Sequence, residues 1–215
     1  MLFRSLKNQN RLLPLDRGKI RTIAVIGPNA DNQRNQLGDY TSKVILQEIV
    51  TVLKGIERKA APGTTVLHVR GCNVMGQDLN QIREAQEAAR KAQVAVVVVG
   101  EDRRTNGEGR DVASLDLTGM QEDLIKAVHS TGTPTVVVLI NGRALSVRWA
   151  AEHVPAIVEA WLPGEQGGNA VAEVLFGDTN PSGKLPVTVP RHVGQWPLYY
   201  NLPAANTGKG GARPY

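Results

Sequence analysis

The chain has 215 residues, 41% of them hydrophobic and 21% charged, and its 25 Lys+Arg against 20 Asp+Glu give a formal net charge of +5. Six bases (Arg4, Lys7, Arg11, Arg17, Lys19, Arg21) and one acid (Asp16) fall in the first 21 residues, so that segment carries the whole excess and the rest of the sequence is neutral. Nucleic-acid binders array bases on a folded face and interleave aromatics for stacking; with aromatics at 4% and the bases at one end, no nucleic-acid partner is expected, and with no run of about 18 apolar residues no membrane span is expected either.

In chain order, the basic opening as far as Ile20 reads as a loop-like entry. It is not read as a signal peptide, because Leu2 and Phe3 give way directly to polar residues. Then come short apolar runs without polar alternation: Ile23 to Ile26, Thr65 to Val69, Val94 to Val99, Thr135 to Ile140 and Ala156 to Trp161. Such runs suit strands buried on both faces, as in a parallel sheet covered by helices. Between them, Asp78 to Gln93, Thr118 to Ser130 and Glu165 to Phe176 carry apolar residues three or four apart and read as helices. Thr118 with Gln121 matches a capping box, and Gly177 a helix C-cap. Strand–helix alternation predicts an α/β domain with right-handed crossovers. The single cysteine, Cys72, forms no internal disulfide and reads as a small buried hydrophobe.

Ligands of open parallel sheets bind beyond the carboxyl ends of strands. After the first run, Gly27-Pro28-Asn29-Ala30 lacks the glycine fingerprint of a dinucleotide site. After the third, Glu101 to Leu117 makes a long loop crowded with charge: Glu101, Asp102, Arg103, Arg104, Glu108, Arg110, Asp111 and Asp116. Connections in such folds usually take about 2–6 residues, so this one is unusual. Glu108 stands between Gly107 and Gly109, which leaves two readings open: a solvated loop, or a projecting acid/base carboxylate. Two shorter loops, 141–143 and 163–169, end the fourth and fifth runs, and the second of these reads as a structural turn. The Gly177 to Lys184 stretch is not a phosphate loop, since its glycine spacing is wrong and no helix follows. His68, His129, His153 and His192 have no metal-ligand spacing, so no metal is expected.

Taken together, several stretches resemble the C-terminal α/β sandwich domain of glycoside hydrolase family 3, of the bacterial β-glucosidase type. They are Asn10 to Leu15, Ile23 to Asp31, Gly38-Asp39-Tyr40, Val50 to Ile56, Gly164-Glu165-Gln166-Gly167-Gly168-Asn169-Ala170, and Leu175 to Pro186. The resemblance implies a six-stranded, mostly parallel sheet sandwiched between helices. It implies an acid/base-bearing domain of a retaining β-glycosidase, acting on β-linked glucosides or short oligosaccharides, without a cofactor. A (β/α)8 barrel, in the same or another chain, would supply the nucleophilic Asp, so this chain alone would be inactive. Matched residue by residue, Glu108 takes the acid/base position, with Asp111, Leu115, Leu117 and Gln121 in step; Val112 stands where Arg is usual and Thr118 where Pro is usual. Tyr40 falls where the family sets an aromatic against the sugar, and Asp39 beside it is the other expected substrate-binding residue. The expected organisation is a basic inter-domain arm over 1–21, the sandwich over 22–194, and a C-terminal arm over 195–215 that stops before the family's closing segment. The resemblance favours a periplasmic or extracellular setting over a cytoplasmic one, and leaves room for a homodimer. The rival reading from a different class is a non-catalytic sugar-binding or interaction module on the same fold.

Overall fold

The computed structural model describes residues 3–200; the expected C-terminal arm lies outside the described residues beyond that point, as do the first two residues of the expected N-terminal arm. One six-stranded sheet organises the chain, in the order β1-β6-β5-β4-β2-β3. Its strands are β1 (Arg4–Asn8), β2 (Thr22–Ile26), β3 (Thr65–Val69), β4 (Val94–Gly100), β5 (Thr135–Ile140) and β6 (Ala156–Glu159). The strands from β2 to β6 run parallel, and β1 pairs antiparallel with β6. The opening segment is therefore not loop-like throughout. It supplies the sixth strand, a short polar edge whose register slips between Ser5 and Lys7.

Helices α1 (Val52–Lys59) and α5 (Gly167–Phe176) cover one face, and α2 (Asn80–Arg90), α3 (Gln121–His129) and α4 (Arg148–His153) the other. Strand β4 explains why the apolar runs do not alternate. Val94, Val96 and Val98 pack with α1 and α5, while Ala95, Val97 and Val99 pack with α2 and α3, and every residue of the strand is buried. Side chains that point to opposite faces both meet a core, so both must be apolar.

The resembling motifs between α1 and α5 serve packing. Thr51 Oγ1 accepts the Lys54 N–H at 3.3 Å and donates to Asp31 at 2.7 Å, capping α1. The Gly168 N–H donates to the Val50 carbonyl at 2.9 Å, and a Cβ on Gly168 would collide with the Thr51 carbonyl oxygen. Buried Gln36 bridges the carbonyls of Val50 and Gly164 at 3.0 and 3.1 Å. Gly177 adopts the left-handed C-cap conformation at φ 80°, as its position predicts. The stretch after it ties down the chain's start: Asp178 pairs with Arg17 and, at 2.9 Å, with Lys59, which hold its carboxyl below the usual carboxylate range.

The expected capping box is corrected. Neither Thr118 nor Gln121 caps α3; Thr118 Oγ1 donates to the Val74 carbonyl at 2.7 Å, and Gln121 exchanges two bonds with the Gly100 backbone at 2.8 and 2.9 Å. Both side chains were drawn to buried backbone groups of other elements, which lose more when left unpaired than a helix end facing water.

The α1–α5 contact gives a first prediction. Gly168→Ala has no room for its methyl group, and chemical denaturation should show a loss of about 1–3 kcal/mol, the usual cost of overpacking.

Candidate functional site

Strand order reverses between β2 and β4, since the chain leaves β2 towards β3 on one side and leaves β4 towards β5 on the other. At such a switch point the loops beyond the carboxyl ends diverge and open a crevice. Here the loops are 27–51 after β2 and 101–120 after β4. They interlock at their base: Asn29, fully buried, donates to the Glu101 carbonyl at 3.2 Å and accepts from Asn35 Nδ2 at 2.7 Å.

At the rim the same two loops bring together all three residues singled out in the sequence. Asp39 Oδ2 accepts the Glu108 N–H at 2.6 Å, and the Tyr40 hydroxyl meets Glu108 Oε2. Gly107 allows this approach: its φ is 141°, and a Cβ there would collide with the Asp39 carboxylate. The carboxylate of Glu108 holds the Tyr40 phenol's pKa above its ordinary value. The Tyr40 ring is 84% exposed, so a flat apolar surface faces the cleft mouth. Arg34, Lys43, Arg103 and Arg110 line a cleft of about 530 Å³ together with Asp39 and Glu108, which makes the approach electropositive.

Residues 6–215 match the C-terminal domain of glycosyl hydrolase family 3. The chain belongs to glycoside hydrolase family 3. It is 45% identical to a β-xylosidase of Formosa agariphila over 199 residues, 91% of this chain and 28% of that protein. It is 41% identical to a periplasmic β-glucosidase of Salmonella typhimurium over 230 residues, 98% of this chain and 29% of that one. Among solved structures, a β-glucosidase from Listeria innocua in complex with isofagomine superposes with a TM-score of 0.85 at 31% identity, covering 96% of this chain and 29% of that one. This chain therefore spans less than a third of the length of these family 3 relatives.

Beneath the rim of this family 3 domain lies a scaffold that spacing alone does not reveal. Glu101, 5% exposed, accepts from Arg143 Nε at 2.9 Å and from the Gly142 N–H at 3.1 Å. Arg143 also donates to the carbonyls of Thr105 and, at 2.9 Å, Arg110, so one guanidinium ties the start of the charged loop to its middle. Burial pushes the Glu101 carboxyl up, against the pull of Gly142 and Arg143. The signal for Glu101 was its position at a strand end; for Arg143 nothing in the sequence points to its partner. Of the other candidates, the expected loop 163–169 is a turn only as far as Gln166, where the Gly167 N–H closes on the Gly164 carbonyl at 3.1 Å; Gly167, Gly168 and Asn169 already belong to α5. Cys72 is buried, and burial pushes its thiol up to about 12, which leaves it protonated and unreactive at neutral pH. Among the described residues no three His, Cys, Asp or Glu side chains are grouped to hold a metal ion, and no helix is long and apolar enough to cross a membrane. An apolar cavity of about 350 Å³ lies between β1, α4 and residues 185–190, at the other edge of the sheet from these loops.

The phenol–carboxylate contact gives a second prediction. In a spectrophotometric titration Glu108→Ala should move the ionisation of the Tyr40 phenol to lower pH. An unchanged alkaline step in that variant would place the raised phenol elsewhere.

Proposed function

We propose that this chain is the acid/base domain of a retaining β-glycosidase, with Glu108 as the acid/base and a (β/α)8 barrel, in the same or another chain, supplying the nucleophile. The observation that carries the reading is the hold of the β2 loop on Glu108: Asp39 takes its backbone N–H and Tyr40 its carboxylate, at the crevice of a family 3 domain. A retaining mechanism needs two carboxyl groups about 5–5.5 Å apart, one attacking the anomeric carbon while the other protonates the leaving oxygen. Asp39 is a poor nucleophile because it is engaged with the Glu108 backbone, so the second carboxylate comes from outside. Glu108 gives its proton to the glycosidic oxygen as the bond to the sugar breaks. It then takes one from the water that opens the glycosyl-enzyme intermediate. Asp39 fixes the loop during both steps, and the Tyr40 ring stacks on the apolar face of a pyranose.

The names of the relatives support β-glucosides and β-xylosides as the substrates to try first, and that of the Salmonella relative supports an exported, periplasmic setting. The exposure of Tyr40 also suits a second reading, a sugar-binding module without chemistry. Kinetics separate the two. Joined to its barrel, Glu108→Ala should lower kcat/KM on substrates with poor leaving groups by ~100- to 10,000-fold, the usual contribution of general acid–base catalysis. Activated aryl glycosides should suffer less, and azide should restore part of their turnover. Equal loss on all substrates without rescue would sink the assignment. The 215-residue chain by itself should not hydrolyse 4-nitrophenyl β-D-glucoside or β-D-xyloside, and robust turnover would contradict an outside nucleophile.

A further inference from the structure

Strand β6 ends on an acid that the reading of the loops leaves unused. Glu159 is 1% exposed and follows Ala156, Ile157 and Val158 in a strand buried throughout. Its Oε1 accepts the Trp161 N–H at 3.0 Å, and its Oε2 accepts from Asn141 Nδ2 at 3.4 Å. The charged groups that face it offer no cation. Glu101, at the end of β4, repels it. Arg143, on the turn after β5, is committed to Glu101 and to the Thr105 and Arg110 carbonyls. Arg4 stands opposite it on β1, with its guanidinium on the Gly183 carbonyl at 3.4 Å.

A buried carboxylate without a cation is disfavoured against its acid form. Burial and the nearby Glu101 push Glu159 up to about 8, against the Trp161 and Asn141 bonds. A second observation points the same way. Asn141 is fully buried and its Nδ2 is engaged by the Arg143 carbonyl at 2.8 Å, but its Oδ1 has no partner. That free acceptor sits on the same amide whose Nδ2 reaches Glu159, and an O–H on Glu159 would meet it once the amide turns end for end.

We infer that Glu159 is carried as a neutral acid, its proton shared with the Asn141 amide, and acts as a positioning residue that joins the turns at 141–143 and 161–164 beneath the Glu108 loop. Both turns need holding. Trp161 has a φ of 52°, a left-handed conformation that is costly for a side chain of its size. Glu159 takes its N–H, and its carbonyl accepts the Asn141 N–H at 3.2 Å. Leu162, next along, lines one cleft with Tyr40, Glu108 and Arg143. Ionisation of Glu159 would set a second buried negative charge beside Glu101 and draw on Arg143, the residue that ties the Glu108 loop to the sheet.

The sign follows from the acid being favoured when folded. Its contribution is full below the ordinary carboxyl value of 4.5 and is lost as pH rises to about 8. The clamp stands on its own geometry, and only its consequence for turnover rests on Glu108 being the acid/base.

The test uses the whole 215-residue chain. Infrared titration should show a protonated carboxyl band at neutral pH that disappears with an alkaline midpoint and is missing in Glu159→Gln. Amide signals of Gly142 and Trp161 should move with that midpoint in the wild type and stay at their low-pH positions in Glu159→Gln. The Tm of the wild type should fall as pH rises from 4.5 to about 8 and level off above that, while that of Glu159→Gln stays nearly level. No such band at neutral pH, or amide signals indifferent to the titration, would overturn the inference. If Glu159→Gln fails to fold, the two wild-type titrations decide it. Glu108→Ala should leave both titrations unchanged, so failure of the clamp and failure of the acid/base reading are told apart.

Discussion

Four parallel strands, β2, β4, β5 and β6, are buried on both faces and leave polar chemistry nowhere to sit except at their ends. Every side chain of β4 meets one core or the other, so the first polar groups after it, Glu101 and its loop, emerge together at one rim. The reversal of strand order beside β2 then decides which loops meet. The rest of the site is an answer to that juxtaposition. Asn29 locks the two loops where they leave the sheet, Gly107 lets one backbone come against the other's carboxylate, and Asp39 closes the contact. Strong backbone pairing below thus holds an exposed rim that has little packing of its own.

The electrostatics divide along the same line. At the rim, charges face water and their pairings are individually weak. One layer down, Glu101 and Arg143 form a buried ion pair whose worth lies in geometry, because desolvation offsets much of the attraction. A guanidinium spreads its donors over separate nitrogens and so holds a carboxylate through one and two carbonyls through another, whereas a lysine offers its three from a single point. The basic excess of the opening segment is likewise partly spent on the domain itself. Lys7 donates to the Ala151 carbonyl at 2.8 Å, Arg17 meets Asp178, and Lys19 pairs with Asp16 at 3.1 Å.

The sheet was legible because burial on both faces writes itself into sequence as uninterrupted Val and Ile runs, and four of the five runs became strands of nearly the expected extent. The fifth, read through Trp161, stops at Glu159, two residues before the left-handed Trp161. Strand β1 was not legible, since an edge strand gives one side to water and Arg4–Asn8 carries mostly polar residues. Helix α4 spans less than two turns and offers no periodicity to read. At the site, loop length and glycine flanks drew attention to Glu108, while Asp39 and Tyr40 came from the family resemblance. Glu101 with Arg143, and Glu159 with Asn141, are partnerships between separate strand ends; only the folded topology makes them neighbours.

The antiparallel strand has a consequence in time as well as in space. Arg4–Asn8 is made almost first, yet its partner β6 exists only after nearly every other element has been synthesised. The longest loop closure in the domain is therefore left until late, and contacts of that kind are slow to form. Until then β6 is an unpaired edge, open to the strand of another molecule. The register that finally covers it sets Arg4 opposite Glu159, so completing the sheet also seals the acid beneath the cleft away from water.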